Sequence, residues 1–124
     1  MYLYERILIM CHSEKYWLSI SISLLLTEGG INPNSLGHLY LQDALFLTFQ
    51  NKELLSCITK ELYPLLAQKH MTSTSGIEHS IRHSIHTAYL KQESPLSKLI
   101  FAYGRPSNSE FLSILLEYLN NRKR

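Results

Sequence analysis

The stretch SGIEHSIRHSIHTAYL, Ser75 to Leu90, threads three histidines, one arginine and one glutamate through isoleucines. That mixture is compatible with several chemistries. His79 and His83 lie four residues apart, so on a helix they share a face and could ligate one metal ion. A hydrolytic zinc motif carries a glutamate directly after its first histidine, whereas Ser80 holds that place here. No metal site is therefore expected. Nucleophilic catalysis needs a serine or cysteine held against a histidine, with an oxyanion site nearby. Nothing marks such a constellation, so the expectation is no enzyme, no catalytic residue and no cofactor. On a wheel at about 100° per residue, Ile77, Ile81, Ile85 and Ala88 fall on one side. His79, Arg82, His83 and His86 fall on the other. An ordinary solvated helix face looks like this too.

The residues in front of this helix narrow the choice. PLLAQKH, then MTS, then the histidine helix reads as a short helix, a tight turn and a longer helix. Ser73 is a natural N-cap for the second helix, and Ser75 with Glu78 offers a competing capping box two residues later. Ala67 supplies a small side chain where two helices would cross, and Ile77 and Ile81 would clamp them together. In a helix-turn-helix this arrangement sends Glu78, His79, Arg82, His83 and His86 toward a major groove. Arginine suits guanine O6 and N7, and glutamate suits the cytosine amino group. Lys69, Ser73 and Ser75 would face phosphates.

The bulk numbers set limits on this reading. The chain has 124 residues, the length of one domain, and 45% of them are hydrophobic, enough for a folded core. A net charge of +2 and a pI near 8.6 permit nucleic-acid binding without arguing for it. Part of the excess sits in the terminal run Arg122, Lys123 and Arg124, which reads as a solvated end. Cys11 and Cys57 are far apart, with no CxxC, so no disulfide framework is suggested. MYLYERILIM lacks the features of a signal peptide, and YWLSISISLLL is too short and serine-rich to span a bilayer. The expected compartment is the cytoplasm, with no membrane partner.

Helical spacing dominates the rest. LSISISLLLTEGG alternates like a strand, then becomes continuously apolar and stops at Gly29-Gly30, so periodicity leaves helix and strand open. INPNSLGH reads as a turn with Pro33 and Gly37. LYLQDALFLTFQN reads as a helix with Leu41, Ala44, Leu45 and Thr48 on one side. ELLSCITKEL reads as another, with Leu54, Ile58 and Leu62 inward, and Pro64 opens the short helix PLLAQKH. QESPLSKLIFAYGRP holds a further short helix, and Ser107 with Glu110 forms a capping box at the head of SNSEFLSILLEYLNN. The expected class is all-α, with about six helices.

ITKELYPLLAQKH, IEHSIRHSI, PSNSEF and GHLYLQDAL together resemble the C-terminal effector domain of the stage zero sporulation protein A family, the sporulation response regulators of endospore-forming bacteria. The similarity runs from about Leu18 to Leu119. It implies a six-helix DNA-binding domain, a helix over Leu18–Leu26, and residues 1–15 as a leader before a domain over residues 16–124. It also implies double-stranded DNA with a TGTCGAA-like element as partner, with the RNA polymerase sigma subunit and a homodimer as further candidates. Family members normally carry a phosphorylated receiver ahead of this domain, and this chain is expected to lack one. The family's recognition helix typically reads Ser-Arg-Val-Glu-Arg, where this chain has Ser75-Gly76-Ile77-Glu78-His79, so two arginines are gone. The position three after Ala67 is usually a buried aromatic and is His70 here, and the loop before RPSNSEF is shorter than usual. The expected function is sequence-specific transcriptional regulation related to sporulation. The alternative is a diverged interaction module that pairs with the full-length regulator or RNA polymerase. The weak charge and missing arginines favour the alternative, while Glu78, Arg82 and His83 oppose it.

Overall fold

Leu18, Ile22, Leu25 and Leu26 are all fully or almost fully buried, a spacing that only a helix produces. The strand-or-helix ambiguity of LSISIS is thus settled by packing: Ile20 and Leu24, the other half of the apolar set, are left on the outer side. The computed structural model describes residues 12–122, and these residues form six α-helices without a strand among them. They are α1 (His12–Glu28), α2 (Leu36–Gln50), α3 (Tyr63–Lys69), α4 (Thr74–Lys91), α5 (Pro95–Ile100) and α6 (Asn108–Arg122). The leader expected over residues 1–15 lies mostly outside the described residues, as do Cys11 and the terminal Lys123 and Arg124.

The helix ends follow from local chemistry. After α1, Gly30 takes φ +98°, its N–H bonds to Thr27 O at 3.0 Å, and Ile31 N–H reaches Leu26 O at 3.0 Å. This is the paired-bond stop that a left-handed glycine allows. Ser35 caps α2 by accepting from His38 N–H, and Ser94 caps α5 in a box with Ser97. The Ser94 hydroxyl also donates to Glu28 O at 2.6 Å, tying α5 to the end of α1. At α6 the expected box is present: Ser107 N–H donates to Glu110 Oε1 at 2.8 Å, and Glu110 N–H to Ser107 Oγ at 3.2 Å. The bond from Ser107 N–H also holds the Glu110 carboxyl below its ordinary pKa.

ELLSCITKEL is not the regular helix that its spacing predicts. Lys52–Cys57 is a 3-10 turn, and Ile58–Leu62 is a π-helical turn that runs straight into α3. Pro64 is the physical reason: it has no N–H, and its ring crowds the carbonyl four residues back. The chain opens one turn early, and Tyr63 N–H bonds five residues back, to Ile58 O. Leu54 and Leu62 still point into the core, while Ile58 is only partly buried against it.

Helix α2 is the hub, packing on α1, α4 and α6. Leu41, Ala44, Leu45 and Thr48 form its fully buried side, as their spacing predicts. Gly37, read from sequence as part of a turn, instead lies in the first turn of α2, where that helix crosses α4. A Cβ on Gly37 would sit 1.8 Å from Ser84 Oγ, 2.5 Å from Ser84 Cβ and 2.6 Å from the Ser80 carbonyl. Two of these neighbours are fixed by the α4 backbone, so the helices must separate to admit a methyl group. Gly37→Ala is expected to lower stability by about 1–3 kcal/mol, the range for overpacking a filled contact. Urea unfolding measures it, and an unchanged midpoint would show that the crossing is not tight.

Candidate nucleic-acid interface

Helices α3 and α4 are held together by fully buried Leu66, Ile77 and Ile81, with Ala67 at 8% exposure beside them. The turn between them is closed by bonds from His70 N–H to Leu66 O and from Thr72 N–H to Ala67 O, both 3.0 Å. Met71, between them, takes φ +54° and is 93% exposed. A non-glycine residue there carries backbone strain, which these two bonds sustain. Ser73 caps α4, accepting from Gly76 N–H at 3.0 Å. The competing box of Ser75 and Glu78 does not form, because Glu78 is bonded further along the helix.

The buried stripe of α4 is Ile77, Ile81, Ile85 and Ala88, joined by Ser84 under Gly37. His79, Arg82 and His83 are exposed on the outer side, and Glu78 and His86 are partly exposed. These side chains are not independent. Arg82 Nη1 donates to both Glu78 carboxylate oxygens, at 2.6 and 2.8 Å, and Arg82 Nη2 donates to His79 Nδ1 at 3.2 Å. The His79 and His83 rings stack at 6.2 Å with 15° between their planes. Arg105 Nη1, from the loop before α6, donates to His86 Nδ1 at 3.4 Å. The Glu78–Arg82 pair is half-exposed, at 35% and 52%. An i,i+4 pair in that setting contributes about 0.3–0.5 kcal/mol, so it can open when a better partner arrives.

The residues assigned to phosphates are arranged differently. Lys69 is 58% exposed but its Nζ lies 3.0 Å from Asp43 Oδ2, a carboxylate on α2. The same oxygen is 2.6 Å from His70 Nε2. His70 is largely buried and its ring packs on Tyr40 at 4.9 Å. It thus supplies the aromatic expected at that position and adds a polar tie from the turn to α2. Ser73 and Ser75 are exposed and their hydroxyls lie 3.2 Å apart, at the N-terminal end of α4.

Several residues around this face were not singled out from sequence. Asn108 Nδ2 donates to Tyr63 Oη at 2.9 Å and to Glu78 O at 3.3 Å, bracing α6 against α3 and α4. Burial pushes the Tyr63 phenol above its ordinary pKa, so it stays protonated. Asp43, Tyr63 and Asn108 come from segments far apart in the chain, and no local spacing points to them. The stretches that carry the family resemblance nevertheless contain all three: Asp43 in GHLYLQDAL, Tyr63 in ITKELYPLLAQKH and Asn108 in PSNSEF. Among the described residues, no three His, Cys, Asp or Glu side chains group as a metal site would require, and no helix is long and apolar enough to cross a membrane.

A short helix, a three-residue turn and a longer helix with a polar outward face make this an all-α domain of the DNA-binding helix-turn-helix class. The model of the family described as "Sporulation initiation factor Spo0A C terminal" matches residues 22–119, and the chain belongs to that family. The family is one of DNA-binding regulator domains in sporulation and transcription control, not of enzymes.

Proposed function

We propose that this chain is a sequence-specific DNA-binding transcriptional regulator related to sporulation control, reading a TGTCGAA-like element with the outer face of α4. The observation that carries this is the Glu78–Arg82 pair on the exposed side of a helix whose opposite side is seated by buried Ile77 and Ile81. Glu78, His79, Arg82 and His83 face base edges, Lys69, Ser73 and Ser75 face phosphates, and His86 lies further along the same side. Arg82 exchanges its carboxylate for guanine O6 and N7, and the released Glu78 accepts from a cytosine amino group. The RNA polymerase sigma subunit and a second copy of the chain are the protein partners in this reading. The alternative, an interaction module without specific DNA binding, draws support from one feature. Lys69 and Arg82 both stand beside carboxylates, Asp43 and Glu78, which weakens the positive field at the face.

Single substitutions separate the two. Arg82→Ala is expected to remove about 1–3 kcal/mol of discrimination between the element and scrambled DNA. Lys69→Ala is expected to weaken both complexes alike, as loss of a point-charge phosphate contact does. Fluorescence anisotropy on the two duplexes measures this. Equal losses on both for Arg82→Ala would take base reading away from Arg82 and favour the interaction module.

The histidines generate a second test. A polyanion favours the charged imidazolium, so affinity is expected to rise as pH falls from about 8 to about 6. His79→Ala flattens that profile. His38 acts in the opposite sense on folding. It is buried between α1 and α2, with Thr27 Oγ1 3.4 Å from Nε2, and burial holds its pKa below the ordinary value. The unfolded chain therefore takes up that proton first, and stability is lost as pH falls below about 6.5. Circular dichroism at each pH keeps the two effects apart. Identical, pH-independent affinities in wild type and His79→Ala would assign the histidines to an ordinary solvated face.

A further inference from the structure

Two donors converge on one oxygen beside the turn of the helix-turn-helix. Lys69 ends α3, His70 opens the turn, and both side chains reach back to α2. Lys69 Nζ lies 3.0 Å from Asp43 Oδ2, and His70 Nε2 lies 2.6 Å from the same atom. A carboxylate oxygen only accepts, so Nε2 carries the proton of that bond. The two contacts differ in setting. The Lys69 side chain is mostly in solvent, whereas those of His70 and Asp43 are only 14% and 21% exposed. The His70 ring is also packed on Tyr40, and its backbone N–H is fixed on Leu66 O.

Opening one contact is therefore unlike opening the other. If Lys69 swings away, its ammonium meets water or another anion, and Asp43 keeps the short bond from His70. Hydrogen bonds to a charged acceptor are among the stronger ones. The carboxylate is then not left without a donor, a costly state for a largely buried charge. If His70 let go instead, its ring would have to leave Tyr40, and the turn would lose its side-chain tie to α2. The Lys69 contact is thus the one that opens. A flexible four-carbon stem with rotatable donors suits lysine to that exchange.

We propose that Asp43 is an intramolecular competitor for the Lys69 ammonium, kept in place by His70, and that an incoming phosphate has to displace it. The proposal rests on the reading of Lys69 as a phosphate contact. Asp43 and His70 are positioning residues in it: both act on binding through Lys69, by setting how readily that side chain is released. This gives the histidine a part that a plain aromatic at its position cannot play. Its ring fills the aromatic's place on Tyr40, and its Nε2 lets the carboxylate give up Lys69.

The test is a pair of double-mutant cycles, read by fluorescence anisotropy on the TGTCGAA-type duplex and a scrambled one at low salt. Asp43→Asn keeps an acceptor for His70 and removes the charge that holds Lys69. It is expected to raise affinity about two- to fivefold on both duplexes, the scale of one exposed ion pair. In the Lys69→Ala background the same substitution is expected to do little. A gain of equal size in that background overturns the proposal, because it reports only the altered net charge of the chain. No gain in either background overturns it too. His70→Phe keeps a ring against Tyr40 and leaves Lys69 as the donor to Asp43. Affinity is then expected to fall on both duplexes toward that of Lys69→Ala, and to recover when Asp43→Asn is added. An unchanged affinity, or a loss confined to the TGTCGAA-type duplex, would make His70 a purely structural contact and overturns the proposal. Thermal unfolding shows which variants are folded; if Asp43→Asn is not, His70→Phe with and without Lys69→Ala decides alone. Failure of the underlying reading looks different: Lys69→Ala itself then leaves the affinity for both duplexes unchanged, and the proposal falls with it.

Discussion

The crossing of α2 over α4 at Gly37 is the contact on which the interface depends. Helix α4 presents its outer face at a fixed angle only if its inner face is seated, and the seat is α2. With no Cβ at Gly37, Ser84 and the Ser80 carbonyl approach the α2 backbone directly. Below that point Ile77, Ile81 and Ile85 fill the space between the helices with almost no exposure. A second tie acts further along α2: Asp43, at the middle of the helix, receives His70 from the turn between α3 and α4. Helix α2 therefore sets both the depth of α4 and the position of the turn that precedes it. Interiors packed this closely transmit small displacements, so a change at Gly37 reaches side chains on the far side of α4.

Charge on the interface is arranged in compensated pairs. Lys69 stands against Asp43, and Arg82 against Glu78. The arrangement agrees with a chain whose net charge is only +2 and whose electrostatic pull on DNA is correspondingly weak. It also orients Arg82 before binding, because one carboxylate and one imidazole hold its guanidinium across a single turn of α4. The Arg82–Glu78 pair costs little to open, since both side chains are substantially exposed, whereas Asp43 is more buried and is also held by His70. In the proposed reading of α4, selectivity comes from exchange of partners at base edges more than from long-range attraction.

Most of the helical frame was legible in the sequence because it rests on local rules. The isoleucine stripe of α4, the Ser73 cap and the Ser107–Glu110 box all appear where spacing and residue type put them. The failures share a cause, which is dependence on something distant or on a competing local rule. LSISIS alternates like a strand, and only the company of α2 and α6 selects Leu18, Ile22, Leu25 and Leu26 as the buried set. Gly37 looks like turn punctuation until Ser84, far along the chain, arrives against it. Pro64 marks a helix start in the sequence, and the cost it imposes on the preceding turn appears only as the π-helical turn before α3. On the outer face, the residue types were legible, but their pairing was not. Residue type and spacing present Glu78 and Arg82 as separate base contacts, and the structure joins them. No local pattern gives Asp43 its role, because its partners Lys69 and His70 are brought to it by the fold.

The most direct measurement is the affinity of the wild-type chain for a TGTCGAA-type duplex and for a scrambled duplex of equal length, by fluorescence anisotropy at 50 and 200 mM salt. Raising salt weakens contacts to phosphates and leaves contacts to base edges largely in place. Both affinities are expected to fall while the preference for the element persists or widens. Equal affinity for the two duplexes at both salt concentrations would contradict sequence reading by this chain, and would leave the outer face of α4 without a role in it.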